Sequence, residues 1–146
     1  MPTFVDSNIL VFLADPNSPF FNETARAVAL LLSRGEELYV APQNLIEFWV
    51  VATRPVASRG LGMSAAQAQA ELARIKSLFR WLADSPAIYL EWEKLVTQHA
   101  VLGKNAHDAR LAAVMSVYNI GTLLTANKSD FKRFQNITAV EPKEVK

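Results

Sequence analysis

At 146 residues, with 51% apolar and 20% charged side chains, the chain is most simply one soluble domain with a well-filled core, which excludes a disordered or fibrous protein. It has no cysteine, so disulfides, thiolate chemistry and zinc-thiolate sites are excluded. A formal charge of +1 excludes holding nucleic acid by bulk charge, so any such ligand needs a local cationic cluster.

The opening "TFV" predicts a short apolar strand ending at Asp6, followed by a helix carrying Ile9, Leu10 and Leu13. A second helix is predicted from about Asn22 to Arg34, where Gly35 supplies a stop. "ELYVA" is a second strand, and Pro42 suits the first turn of the helix after it. That helix, "QNLIEFWVVATR", is nearly all apolar, which predicts burial on most sides until Pro55 ends it. Ser64 and Gln67 form a capping box for a fourth helix, whose stripe is Ala68, Leu72, Ile75, Phe79 and Leu82. Pro86 with "AIYL" gives a third strand, and "EWEKLVTQHAVL" a helix with His99 on its apolar side, closed by Gly103. "HDARLAAVMSVY" is a further helix, "GTLLT" a fourth strand and "ITAV" a fifth. The longest apolar runs, "AVALLL" and "FWVVA", are well short of the roughly 18 to 20 residues that cross a bilayer. With no secretory signal visible at the start, no membrane partner and a cytoplasmic location are expected.

Alternating strands and helices joined by short loops predict a parallel sheet covered on both faces, with the ligand crevice beyond the carboxyl ends of the strands. The acids are judged against that geometry. Asp6 ends the first strand, where it serves either as a helix N-cap or as a crevice carboxylate. Glu47 is the only charge in "LIEFWVVA", so it either reaches a solvated edge or has a partner. Asp108 shares a helix face with Leu111, Met115 and Tyr118, or complements the helix dipole in the first turn. Thr125, Asn127 and Asp130 follow the fourth strand, in a segment whose composition also suits a turn. At the switch point of a doubly wound sheet Asp6 and Asn127 would face each other, with the helices of Glu47 and Asp108 starting near the same edge. Carboxylates sharing one crevice select a hard cation, Mg²⁺ or Mn²⁺, suited to hydrolysing a phosphodiester. No phosphate-binding glycine loop and no G-x-S-x-G elbow competes. His99 is taken as structural, His107 as a helix-start residue beside Asp108, and Trp49, Trp81 and Trp92 as core.

"FVDSNIL", Glu47, "GKNAHDARLAAVM" and "LLTANKSDFKRF" together resemble, in order and over almost the whole chain, a PIN-domain ribonuclease of the VapC toxin kind. The resemblance implies a single PIN domain over 1–146, a three-layer α/β/α sandwich with a parallel sheet of four to five strands. It implies an Mg²⁺- or Mn²⁺-dependent endoribonuclease, a homodimer, and a cognate antitoxin protein that blocks the site. By matching positions Asp6, Asp108 and Glu47 would be metal ligands, with Asn127 in the catalytic set where many relatives carry a fourth acid. Ser7, Asn8, Thr125 and Asp130 would support them. Lys104, Arg110 and Lys128 are the expected RNA contacts, with Lys132 and Arg133 beside them. The alternative is a catalytically degenerate PIN-like binding or autoregulatory module, which the amide at Asn127 favours. Receiver domains and haloacid-type phosphatases are disfavoured, because the chain has Asp6, Ser7, Asn8 rather than a D-x-D or an adjacent acid pair.

Overall fold

The structure, a computed structural model, describes residues 1–146. Its centre is β1 (Pro2–Val5), in which Phe4 and Val5 are fully buried because both faces of a parallel sheet are covered. β1 lies between β2 (Glu37–Val40) and β4 (Thr122–Leu124); β3 (Arg80–Trp81) and β5 (Thr138–Val140) form the edges. All four pairings are parallel, in the order β3-β2-β1-β4-β5. The chain therefore winds outward on one side of β1 and then crosses to the other, which puts the switch point between β1 and β4.

The alternation of side chains along the strands divides the core. Val5, Val40 and Leu124 pack against α1 (Ser7–Leu13), α2 (Phe21–Ser33), α3 (Pro42–Thr53) and α4 (Ala65–Leu78). Phe4 and Leu123 pack instead against α5 (Pro86–Gln98) and α6 (Asn105–Val117). This is the expected α/β/α sandwich, with five strands. The Ser64–Gln67 capping box opens α4, and Pro42 is in the first turn of α3. Gly35, at φ +78°, ends α2 in the left-handed position that favours glycine.

The third strand is displaced from its expected place. "AIYL" lies in α5: Pro86 occupies the first helical turn, and Ile88, Trp92 and Leu95 fall on one face. The strand is Arg80–Trp81, too short to show a periodicity, with buried Phe79 and Leu82 flanking exposed Arg80 and Trp81. Phe79 and Leu82 thus extend the apolar spacing of α4 after its backbone has left the helix, and the Leu82 amide continues the ladder to the Val40 carbonyl at 2.8 Å. Trp81, expected in the core, is 59% exposed at this edge. Trp49 and Trp92 are half-buried against the two cores, as expected of core residues. α5 stops before Gly103, because Ala100 itself takes φ +48° and the Val101 amide bonds back to Val96.

α3 also departs from expectation. Its inner stripe, Phe48 and Ala52, is fully buried, while Ile46 and Val50 are 64% and 51% exposed. Only one face meets the α1 to α4 core, and Gln43 and Asn44 are buried in its first turn. Phe48→Ala should therefore lower stability by about 3–5 kcal/mol through cavity formation. Ile46→Lys should stay within about 0.5 kcal/mol of wild type. Urea denaturation curves of the two variants check this, and a large loss with Ile46→Lys would contradict the packing.

Candidate active site

Asp6 leaves the carboxyl end of β1 buried, 6% exposed, and its position is set by several donors. Oδ1 accepts the Ser7 amide at 2.7 Å and the Ser7 hydroxyl at 3.4 Å. Oδ2 accepts the Thr125 hydroxyl at 2.8 Å and the Asn8 side-chain amide at 3.4 Å. The N-cap role and the crevice role therefore coexist in one side chain. Asn8 also accepts the Ala126 amide at 3.3 Å through Oδ1, tying the start of α1 to the loop after β4. The partner of Asp6 across the switch point is thus Thr125, which is fully buried. Asn127, in the same loop, donates its backbone amide to Thr125 Oγ1 at 3.1 Å and is exposed.

Asp108 lies in the first turn of α6, in the opposite helical layer from Glu47 on α3. Burial pushes its carboxyl up to about 6, with the charges of Asp6, Asp130 and Glu47 adding to the rise and His107 opposing it. Asp6 is also raised, chiefly by burial and further by Glu47, against the hydrogen bonds from Thr125 and Ser7. The charges of Asp6, Asp130 and Glu47 are thus felt at Asp108, and that of Glu47 at Asp6. Asp130, in the one-turn helix Lys128–Phe131, is one of the charges that raise Asp108. His99 caps the end of α5 and meets the Phe134 ring edge-on at 5.4 Å, away from these acids.

Sequence inspection missed the polar residues that brace Glu47. Gln43 is buried, and its Nε2 donates to Glu47 Oε2 at 3.1 Å and to the His107 carbonyl at 2.9 Å. Its Oε1 accepts Arg110 Nη1 at 3.0 Å, while Arg110 Nη2 bonds Asp84 at 3.2 Å. The i,i+4 spacing of Gln43 and Glu47 was the available signal. Of the expected RNA contacts, Arg110 is thus paired with Asp84, and Lys128 holds both Glu144 oxygens at 2.9 Å. Lys104 is exposed at the start of α6. An open groove of about 770 Å³ beside the acids is lined by Gln43, Ile46, Glu47, Val50, His107 and Arg110, among others. A separate cavity of about 420 Å³ lies at the opposite end of the sheet, beside Ile120 and Ile137, away from the converging acids.

A parallel five-stranded sandwich with acids gathered at its switch point defines a class of fold and site. The chain belongs to the PIN domain family, whose model matches residues 3–137. It is similar in fold to VapBC2 of Rickettsia felis, solved bound to a DNA fragment from its promoter: TM-score 0.72, 19% identity, covering 97% of this chain and 98% of that one. It is similar to VapC20 of Mycobacterium tuberculosis, a Sarcin-Ricin loop cleaving toxin: TM-score 0.64, 18% identity, covering 83% and 86%. A toxin-antitoxin complex from Klebsiella pneumoniae also matches, with TM-score 0.66, 20% identity and coverage of 98% and 99%. No curated protein matches the chain. No helix is long and apolar enough to cross a membrane.

The raised Asp108 carboxyl has a consequence for stability. A carboxyl whose folded pKa lies above its unfolded value favours folding when protonated, and that contribution fades as pH rises through about 6. Without divalent cations, Asp108→Asn should therefore melt about 2–4 °C above wild type at pH 7.5, with the gap narrowing as pH falls and closing below the unfolded value of 3.8. Thermal melts in EDTA across that range check it; a lower melting temperature for the variant at pH 7.5 contradicts the shift.

Proposed function

We propose that the chain is an Mg²⁺- or Mn²⁺-dependent endoribonuclease of the VapC toxin kind, cutting RNA phosphodiester bonds. One observation carries this: at the carboxyl edge of the sheet Asp6 and Asp108 are raised by burial and, after it, by the charge of acids from distant segments, Glu47 on both and Asp130 on Asp108. Oxygen-only donors of this kind fit a hard divalent cation. No three Asp, Glu or His side chains close on one point, so the proposed ion would be held directly by one or two carboxylates and otherwise by water. When bound, such an ion supplies a polarised water and balances charge on the phosphate oxygens.

Asp6 and Asp108 are the proposed direct ligands, and Glu47 ligates or orients bound water. Ser7, Asn8 and Thr125 hold Asp6 in one rotamer, as the partners of metal ligands do. Asn127 contributes through its amide to Thr125, and Asp130 supplies the fourth negative charge. Lys104 is placed for phosphate contact without giving up an ion pair, whereas Arg110 and Lys128 must first release Asp84 and Glu144. The groove beside Glu47, with Ile46 and Val50 on its wall, is the proposed seat of a segment of a cognate antitoxin. A toxin-antitoxin complex and VapBC2 among the similar folds support that partner, and VapC20, which cleaves the Sarcin-Ricin loop, supports an RNA substrate. A homodimer, a cytoplasmic location and a single PIN domain over the whole chain belong to the same proposal. The exposed amide of Asn127 favours a second reading, a degenerate binding or autoregulatory module.

Purified protein should cleave RNA with Mg²⁺ or Mn²⁺ and not with EDTA. Asp6→Asn, which retains a helix cap, and Asp108→Ala should each lower the rate at least ~100-fold, on the scale of losing one preorganised charge-stabilising group. Circular dichroism should show both folded. RNA left intact by wild type with either metal would select the binding module.

A further inference from the structure

Gln43 stands at an unusual junction. It is 8% exposed, lies one turn before Glu47 on α3, and reaches across the sheet edge to the opposite layer, at the residue before Asp108. A side-chain amide can present either end, so something must decide which atom faces Glu47. Arg110 decides it. A guanidinium only donates, so its 3.0 Å bond fixes Oε1 on its own side and leaves both Nε2 hydrogens for Glu47 Oε2 and the His107 carbonyl. Arg110 is in turn held by Asp84 at 3.2 Å.

We propose that Gln43 is a positioning residue of the carboxylate crevice: oriented by Arg110, its amide holds Glu47 on α3 against the segment of α6 that carries Asp108. The proposal rests on the metal-dependent reading given above. A free glutamate loses rotamer freedom when fixed, and Gln43 settles part of that loss before any cation arrives. Arg110 then serves the crevice from within the chain rather than by meeting substrate.

The test is calorimetric titration of Mn²⁺ into the full chain. Gln43→Met, close in shape but unable to donate, should bind roughly 10- to 100-fold more weakly, the range for losing a partner of a metal ligand. Gln43→Met combined with Glu47→Gln should bind no more weakly than Glu47→Gln alone, because Gln43 acts through Glu47. Arg110→Met, which frees the amide to turn, should weaken binding by a smaller factor, and it decides the matter if Gln43→Met does not fold. Wild-type affinity in Gln43→Met or in Arg110→Met, or full additivity in the double variant, overturns the positioning role while the metal reading stands. A wild-type chain that binds no Mn²⁺ overturns both.

Discussion

Carboxylates set where burial, and after it the charge of neighbouring acids, resists ionisation are the constraint around which this molecule is arranged. Asp6 and Asp108 sit where burial and neighbouring acids both resist ionisation, yet neither has a cationic side chain as a hydrogen-bonding partner. The chain supplies neutral donors instead, Ser7, Asn8 and Thr125 on Asp6 and Gln43 on Glu47. Neutral donors orient a carboxylate without cancelling its charge. The cationic groups nearby are directed elsewhere, Arg110 to Asp84 and Gln43, Lys128 to Glu144. On the proposed reading, such a crevice would suit a mobile cation rather than an internal salt bridge.

The scaffold makes that concentration of charge affordable. Parallel pairing of β1 with β4 places the Asp6 and Thr125 strand ends side by side, and the backbone ladder continues past them through the Asp6 amide to Leu124 and the Thr125 amide to Val140. Phe4 and Val5, packed into opposite cores, anchor the strand that carries Asp6. Glu47 and Asp108 come from opposite helical layers, so the crevice spans the sheet edge, and the Gln43 contact to the His107 carbonyl bridges it.

Elements with a long periodic pattern or strong punctuation were legible in the sequence. β1, β2, β4, β5, α2 and the capped α4 lie close to where apolar spacing, Gly35, Pro42 and the Ser64–Gln67 pair put them. The third strand was not, because two residues carry no period and Phe79 and Leu82 mimic one more helical turn. Nor was the exposure of Ile46 and Val50, since an apolar helix reads as buried whether or not a partner covers it. In the site, the acids stood out as charges in greasy surroundings, and the switch-point rule put Asp6 at a strand end beside the loop after β4. Thr125 was named as support for the carboxylates, but its direct hydrogen bond to Asp6 depends on where the strand ends, which the sequence does not mark. Gln43 was missed because an uncharged amide announces no chemistry until its neighbours in space are known.

The most direct measurement is anomalous diffraction from crystals of the chain grown with Mn²⁺. A peak touching a carboxylate oxygen of Asp6 or Asp108, inside the crevice shared with Glu47 and Asp130, is the predicted result. Full-occupancy manganese bound only elsewhere on the surface, with the crevice filled by water alone, would contradict it.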